Sequence, residues 1–169
     1  MFPLAQSVPE KIMGHLGPIK LIYIIRDPLD RIVSQYRHAR RDDPNLMPFE
    51  DWLPTNEAQR GAVERSNYLQ QLQPFIDLFG QERVKVIFYE DYRDDYRRSL
   101  EEICIYLGAD WAGLSGVPNL EVNKTSETTV PVPRIAASVR DRLRLRLRAD
   151  TQTFLARYGK PAGYWPSMA

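Results

Sequence analysis

The feature that most constrains the fold is the run KLIYIIRDPLDRIVSQYRH at residues 20–38. It begins with an apolar, β-branched and aromatic stretch, residues 20–25, of the kind that fills an internal strand of an α/β sheet. Asp27 can then cap a helix, and Pro28 suits the first helical position. The apolar residues of that helix recur at helical spacing on one face: Leu29, Ile32, Val33 and Tyr36. The run therefore predicts a buried strand followed at once by an amphipathic helix.

Arg26 stands where this strand ends, and the polar face of the helix carries Arg31, Ser34 and His38. In open α/β sheets, ligands bind outside the carboxyl ends of the strands. A guanidinium at that edge, with a hydroxyl on the following helix, could clamp a phosphate. An exposed arginine and a solvated helix serine fit the same spacing, so the residues alone leave both interpretations open. We expect Arg31 to lie on the helix surface.

Two apolar strands joined through helices predict a parallel sheet. The second strand is Val84–Phe88, which is apolar except for Lys85, and a connection between parallel strands needs a crossover that is usually helical. Helical patterns precede, separate and follow the strands, at residues 8–16, 31–39, 48–53, 64–79, 96–107 and 135–147. Residues 42–61 are long enough to form a substrate-side loop.

The order strand, R-D-P-x-x-R and S-x-Y-x-H resembles the sulfotransferase superfamily, whose members move a sulfuryl group from 3′-phosphoadenosine 5′-phosphosulfate (PAPS) to a hydroxyl or amine. Three later segments resemble family segments in the same order: the helix around Tyr68, the strand ending in Tyr89-Glu90-Asp91, and the helix from Leu100 to Gly108. The resemblance runs from about Lys20 to the end of the chain. It implies an α/β, P-loop-NTPase-like three-layer fold with a parallel sheet flanked by helices.

The resemblance also implies roles for individual residues. Arg26 and Ser34 correspond to the family residues that bind the 3′-phosphate, and Tyr68 to the residue that contacts the adenine. Lys124 and Arg134 are further candidates for phosphate contacts, although plain loop cations explain them equally well. PAPS is therefore the expected co-substrate, and the expected acceptor is a small molecule or a carbohydrate.

One family element has no counterpart among the 169 residues. Members carry a K-x-G-[ST]-[ST] loop near the start of the domain, whose amides and lysine hold the 5′-phosphosulfate. The family's general base, a histidine or a glutamate, has no assignable counterpart either. We interpret His38 as a structural residue or as one that lies beside the catalytic residues without abstracting a proton. The chain is therefore interpreted as one domain over residues 1–169, truncated at its N-terminus, which represents the carboxyl-terminal two-thirds of the family domain. Its catalytic residues are unknown.

Composition sets further expectations. Lys and Arg number 23 against 22 Asp and Glu, a net charge of +1, so the chain has no overall field that attracts nucleic acid or an anionic membrane. Cys104 lies in an apolar helical segment and is expected to be packed rather than nucleophilic. No run approaches the ~20 apolar residues of a membrane span, and no segment has metal-ligand spacing. We expect a soluble, cytoplasmic protein without a metal; its oligomeric state is left open.

Two other functions compete with sulfuryl transfer. The absent loop favours a non-catalytic nucleotide-binding or scaffolding remnant. Six arginines from Arg134 to Arg148 favour a nucleic-acid-binding protein. In that segment, however, apolar residues align at i+4 spacing: Ile135, Val139, Leu143 and Leu147. A helix with a packed apolar face and solvated arginines is the preferred interpretation, so no nucleic-acid partner is expected.

Overall fold

The structure of the protein is a computed structural model. It describes residues 3–58, 61–112 and 130–168, and for residues 3–7 and 57–58 it describes the backbone only. In chain order the helices and strands are α1 (Pro3–Leu16), β1 (Leu21–Ile25), α2 (Pro28–Asp42), α3 (Phe49–Ala58), α4 (Tyr68–Phe79), β2 (Val84–Phe88), α5 (Tyr89–Asp94), α6 (Tyr96–Leu107) and α7 (Ala137–Arg157). The chain divides into two compact units, Met1–Arg26 with Leu72–Glu121, and Asp27–Gln71 with Val122–Ala169.

The first unit is built on a parallel pair of strands. β1 pairs with β2 in a register that runs from Leu21 opposite Val84 to Ile25 opposite Phe88. The α6 helix is tied to the first strand by the Tyr106 hydroxyl, which donates to the Leu21 carbonyl oxygen at 3.2 Å. Parallel strands flanked by helices confirm the predicted α/β class.

The two strands differ in burial. β2 buries Val84, Ile87 and Phe88, as a continuous apolar strand should. In β1 Ile25 is buried, whereas the side chains of Ile22 and Ile24 are exposed. Because side chains of a strand alternate between the two faces, these two isoleucines lie on one face. Over the described residues the sheet has two strands, so the expectation of a fully buried first strand is wrong for that face of β1.

The core of the second unit forms around α2. The predicted apolar face of this helix is confirmed, since Leu29, Ile32 and Tyr36 are buried. They belong to one hydrophobic cluster with residues of α3, of the segment that follows it and of α7: Phe49, Trp52, Leu53, Ala62, Val63, Leu143 and Leu147. The buried leucines of α7 confirm that the arginine-rich segment packs one apolar face into the core.

Several element boundaries differ from the prediction, among them those of α2, which spans Pro28–Asp42 rather than residues 31–39. α1 begins at Pro3 rather than Val8 and contains Pro9, which costs the helix an internal hydrogen bond without ending it. The helix predicted at residues 48–53, within the longer stretch 42–61, is present as α3 and extends to Ala58. The helix expected from Glu64 is a 3₁₀ turn up to Ser66, after which Asn67 leaves the helical region at φ −82° and ψ 79°, and α4 starts at Tyr68.

Candidate functional site

The predicted phosphate-binding arginine lies at the carboxyl edge of the sheet, beside an aromatic ring. Arg26 directly follows β1 and Tyr89 directly follows β2, and the last residues of the two strands are paired in register. The guanidinium carbon of Arg26 lies 5.3 Å from the centre of the Tyr89 ring, which is within the range of a cation–π interaction. The Tyr89 side chain is 39% exposed. This edge therefore presents a cation and an aromatic surface that a ligand can approach.

Asp27, the residue after Arg26, has a structural role. Its buried carboxylate accepts the Leu29 N–H at 3.0 Å and the Asp30 N–H at 3.3 Å, which caps the first turn of α2 as predicted. The same carboxylate also accepts hydrogen bonds from the backbone N–H and the hydroxyl of Ser167, near the end of the chain. Asp27 thus joins the start of α2 to the C-terminal segment and is not available as a general base.

Ser34 lies on the exposed side of α2. Its helical neighbours at three or four positions are Asp30, Arg31, Arg37 and His38, so two arginines lie close to it. Arg37 donates two hydrogen bonds to the Val130 carbonyl oxygen, at 3.0 and 2.7 Å. The exposed hydroxyl and the basic neighbours fit the predicted contact with a phosphate, which stays a prediction.

Arg31 is not the surface residue that the sequence suggested. Its side chain is half-buried, and one guanidinium nitrogen donates to the Ala62 carbonyl oxygen at 3.0 Å and to the Ser66 hydroxyl at 3.3 Å. Ser66 is itself buried and precedes the helix of Tyr68 by two residues. Long side chains can lie along a core and bring their polar ends to buried carbonyl groups. Arg31 therefore fastens α2 to the turn that leads into α4.

Tyr68 lies within an aromatic cluster. Its ring centre is 5.7 Å from that of Phe154 and 5.8 Å from that of Trp165, and the residue is only 2% exposed. Tyr158 extends the cluster, since its ring centre lies 4.7 Å from that of Phe154. This burial limits any contact between Tyr68 and an adenine to a small part of the ring.

The remaining predicted site residues are less constrained. Arg134 is exposed just before α7, and Lys124 falls outside the described residues. His38 is exposed and pairs with Asp42 at 3.1 Å, while Cys104 is buried and free, as expected of a packed residue. Within the described ranges, no group of acidic, histidine and cysteine side chains could hold a metal ion, and no helix is long and apolar enough to cross a membrane.

The start of α4, at Tyr68, is capped by a residue from α7 that sequence reasoning missed. The Asp150 carboxylate accepts the N–H groups of Leu69 at 3.2 Å and Gln70 at 3.1 Å. Burial raises the pKa of the Asp150 carboxyl, and the hydrogen bonds from Gln70 and Leu69 offset part of that rise. A cap donated from 80 residues away leaves no signal near the helix that it serves.

Asp150→Ala should lower the free energy of unfolding by about 0.5–2 kcal/mol, because two helix N–H groups lose their acceptor. Asp150→Asn should cost less, since its amide oxygen can still accept. A raised pKa means that the folded state holds the proton to higher pH than the unfolded state, so this carboxyl's contribution is present below about pH 4 and is lost as pH rises through the folded pKa. Urea unfolding at pH 4 and pH 7 should therefore show that the free energy of unfolding of Asp150→Asn, relative to that of wild type, is higher at pH 7 than at pH 4. Equal stability of Asp150→Ala and wild type at both values would contradict the cap.

Comparison with known proteins identifies the family. A model of the sulfotransferase domain matches residues 5–129. A 3-alpha-hydroxysteroid sulfotransferase of Cavia porcellus is 29% identical over 94 residues, and sulfotransferase 2A2 of Rattus norvegicus is 28% identical over 94 residues; each match covers 53% of this chain and 31% of the relative. The chain thus aligns with about a third of the length of these curated relatives.

A solved structure shares the fold. The crystal structure of a sulfotransferase from Alicyclobacillus acidocaldarius superposes with a TM-score of 0.73 at 20% sequence identity, covering 95% of this chain and 63% of that one. At 20% identity the similarity shows a shared fold and nothing more. That fold agrees with the parallel strands and flanking helices of this chain. The domain model, which matches more than half of the residues, shows that the chain belongs to the sulfotransferase family.

Proposed function

We propose that this chain supplies the 3′-phosphate and adenine side of a PAPS site, for transfer of the sulfuryl group to a hydroxyl or amine acceptor. The observation that carries the proposal is Arg26 at the carboxyl edge of the parallel sheet, where ligands of such sheets bind. Relatives that act as sulfotransferases support the same reaction class, and the name of one of them includes a hydroxysteroid, which favours a small-molecule acceptor with a hydroxyl group.

The 3′-phosphate is the part of the donor that these residues suit best. It is a compact anion with several acceptor oxygens, and a guanidinium can donate two parallel N–H groups to such a partner. By the resemblance, Arg26 and the Ser34 hydroxyl are the proposed ligands of this phosphate, and Lys124 and Arg134 are further candidates. Tyr68 contacts the adenine with the small part of its ring that the aromatic cluster leaves accessible.

A second candidate is a nucleotide-binding protein without transferase activity. It is favoured by one observation, the absence of a K-x-G-[ST]-[ST] loop from the 169 residues of the chain. Both candidates require the 3′-phosphate site, so nucleotide binding supports the two equally. Turnover with PAPS separates them.

Wild-type protein should bind adenosine 3′,5′-bisphosphate more tightly than 5′-AMP, and Arg26→Ala should remove most of that preference. A charge-assisted hydrogen bond is worth about 1.5–3 kcal/mol, which corresponds to a loss of about 10- to 150-fold in affinity for the bisphosphate. Affinity for 5′-AMP, which has no 3′-phosphate, should stay unchanged. Isothermal titration calorimetry with both ligands measures the two affinities directly.

The control for this experiment is Arg98→Ala rather than a change at Arg31, which is anchored to Ala62. Arg98 has the same charge, is 77% exposed and forms only a surface ion pair with Glu102 at 3.4 Å, so its removal should alter neither affinity. Equal affinities of folded wild-type protein for the two nucleotides would overturn the proposed function. Equal losses of affinity for the bisphosphate in Arg26→Ala and Arg98→Ala would instead show that Arg26 is not the phosphate ligand.

A further inference from the structure

The Tyr89 ring beside Arg26 at the sheet edge has a feature that suits phosphate binding. Tyr89 offers the face of its ring, 5.3 Å from the guanidinium carbon. An aromatic face attracts a cation through its quadrupole and leaves the full positive charge in place. The contact can therefore hold the arginine without reducing its attraction for an anion.

The position of Tyr89 is itself well fixed. It directly follows β2, whose last two residues, Ile87 and Phe88, are buried, and it begins α5. The pairing of Ile25 with Phe88 sets the following residues of the two strands side by side. The ring therefore stands on a rigid element, in contact with the guanidinium of Arg26.

We infer that Tyr89 is a positioning residue that holds the Arg26 guanidinium at the sheet edge for the 3′-phosphate. A long side chain that is already ordered loses less conformational entropy when its ligand binds, which increases affinity. The inference rests on the proposed function, because it assigns Tyr89 a role through Arg26 and the 3′-phosphate. It predicts an effect on nucleotides that carry this phosphate and no effect on those that lack it.

The test uses Tyr89→Phe, which keeps the aromatic face, and Tyr89→Leu and Tyr89→Met, which remove it. Calorimetry should show Tyr89→Phe within about twofold of wild type for adenosine 3′,5′-bisphosphate, and the two non-aromatic variants about three- to tenfold weaker. All three should bind 5′-AMP like wild type. Because Tyr89 is partly exposed, its replacement should leave the fold intact, which thermal unfolding checks. Tyr96→Leu is the matched control, since Tyr96 contacts Arg97 at 5.6 Å in the same manner but in α6, and it should change neither affinity.

The double variant Arg26→Ala with Tyr89→Leu distinguishes positioning from a general structural effect. If Tyr89 acts through Arg26, the double variant should bind the bisphosphate no more weakly than Arg26→Ala alone. Unchanged bisphosphate affinity in Tyr89→Leu and Tyr89→Met, or an equal loss for both nucleotides, would overturn the inference while leaving the proposed function standing. Wild-type protein without any preference for the bisphosphate would overturn the proposed function and, with it, the role of Tyr89.

Discussion

Trp165→Ala should lower the free energy of unfolding by about 3–5 kcal/mol, the range for removing a buried tryptophan or phenylalanine side chain. Trp165 is 0% exposed. Its ring stacks on that of Phe154, with the ring centres 6.3 Å apart, and its ring centre lies 5.8 Å from that of Tyr68. Alanine would leave a cavity between these two rings. The residue also precedes Ser167, which donates to Asp27, so the C-terminal segment should lose an anchor as well. Urea unfolding followed by circular dichroism measures the change.

Trp165→Phe is the control for that experiment, because it keeps an aromatic ring in contact with Phe154 and should cost clearly less than alanine. A loss for Trp165→Ala near the 0.5 kcal/mol typical of surface changes would contradict the central place of this residue in the core. Because Tyr68 packs against the same ring, Trp165→Ala should also weaken nucleotide binding in the fraction that stays folded.

The 169-residue chain should transfer sulfate from PAPS at least about 10²–10³-fold more slowly than a sulfotransferase that has the K-x-G-[ST]-[ST] loop. The leaving phosphate oxygen gains negative charge as the S–O bond breaks, and loss of a single well-placed donor to such an oxygen costs that factor. Lack of a general base would cost a further ~10²–10⁴, although effects within one site do not add simply. Labelled PAPS with phenolic, alcohol and amine acceptors measures the rate.

A complete sulfotransferase, assayed with the same donor and acceptors, is the positive control for the transfer experiment. Nucleotide binding without turnover would agree with the expected deficit. Turnover at a rate comparable to that of the control would contradict it, and would direct attention to Lys124 and its neighbours as a replacement for the loop.

Much of the fold could be predicted because its signals are local. β2 and α6 have the predicted bounds, since an apolar run ends at Phe88 in one case and a glycine follows the helix in the other. Gly108 adopts φ 78°, the left-handed conformation that ends a helix and that glycine tolerates best. The Asp27 cap was visible for the same reason, because it lies next to the helix that it serves.

The features that sequence reasoning missed depend on contacts between distant segments. Asp150 caps α4 from 80 residues away, and Arg31 reaches Ala62 across the core of its unit. The pairing of Arg26 with Tyr89 was missed because it depends on the strand register. Both residues follow predicted strands, yet only the alignment of Ile25 with Phe88 brings them together. For Ser34, Tyr68 and Arg134, burial and exposure are known, whereas their roles toward a nucleotide stay predictions.

We expect the exposed isoleucines of β1 to promote self-association in concentrated solution. Ile24 is 63% exposed on a strand that, within the described residues, has a neighbour on one edge only. An apolar strand with an open edge is a template for pairing with other chains, and salts such as sulfate and phosphate strengthen that association. Phosphate buffers, which would also compete for Arg26, are therefore a poor choice for the titrations. A dilution series should accompany each measured affinity to separate nucleotide binding from self-association.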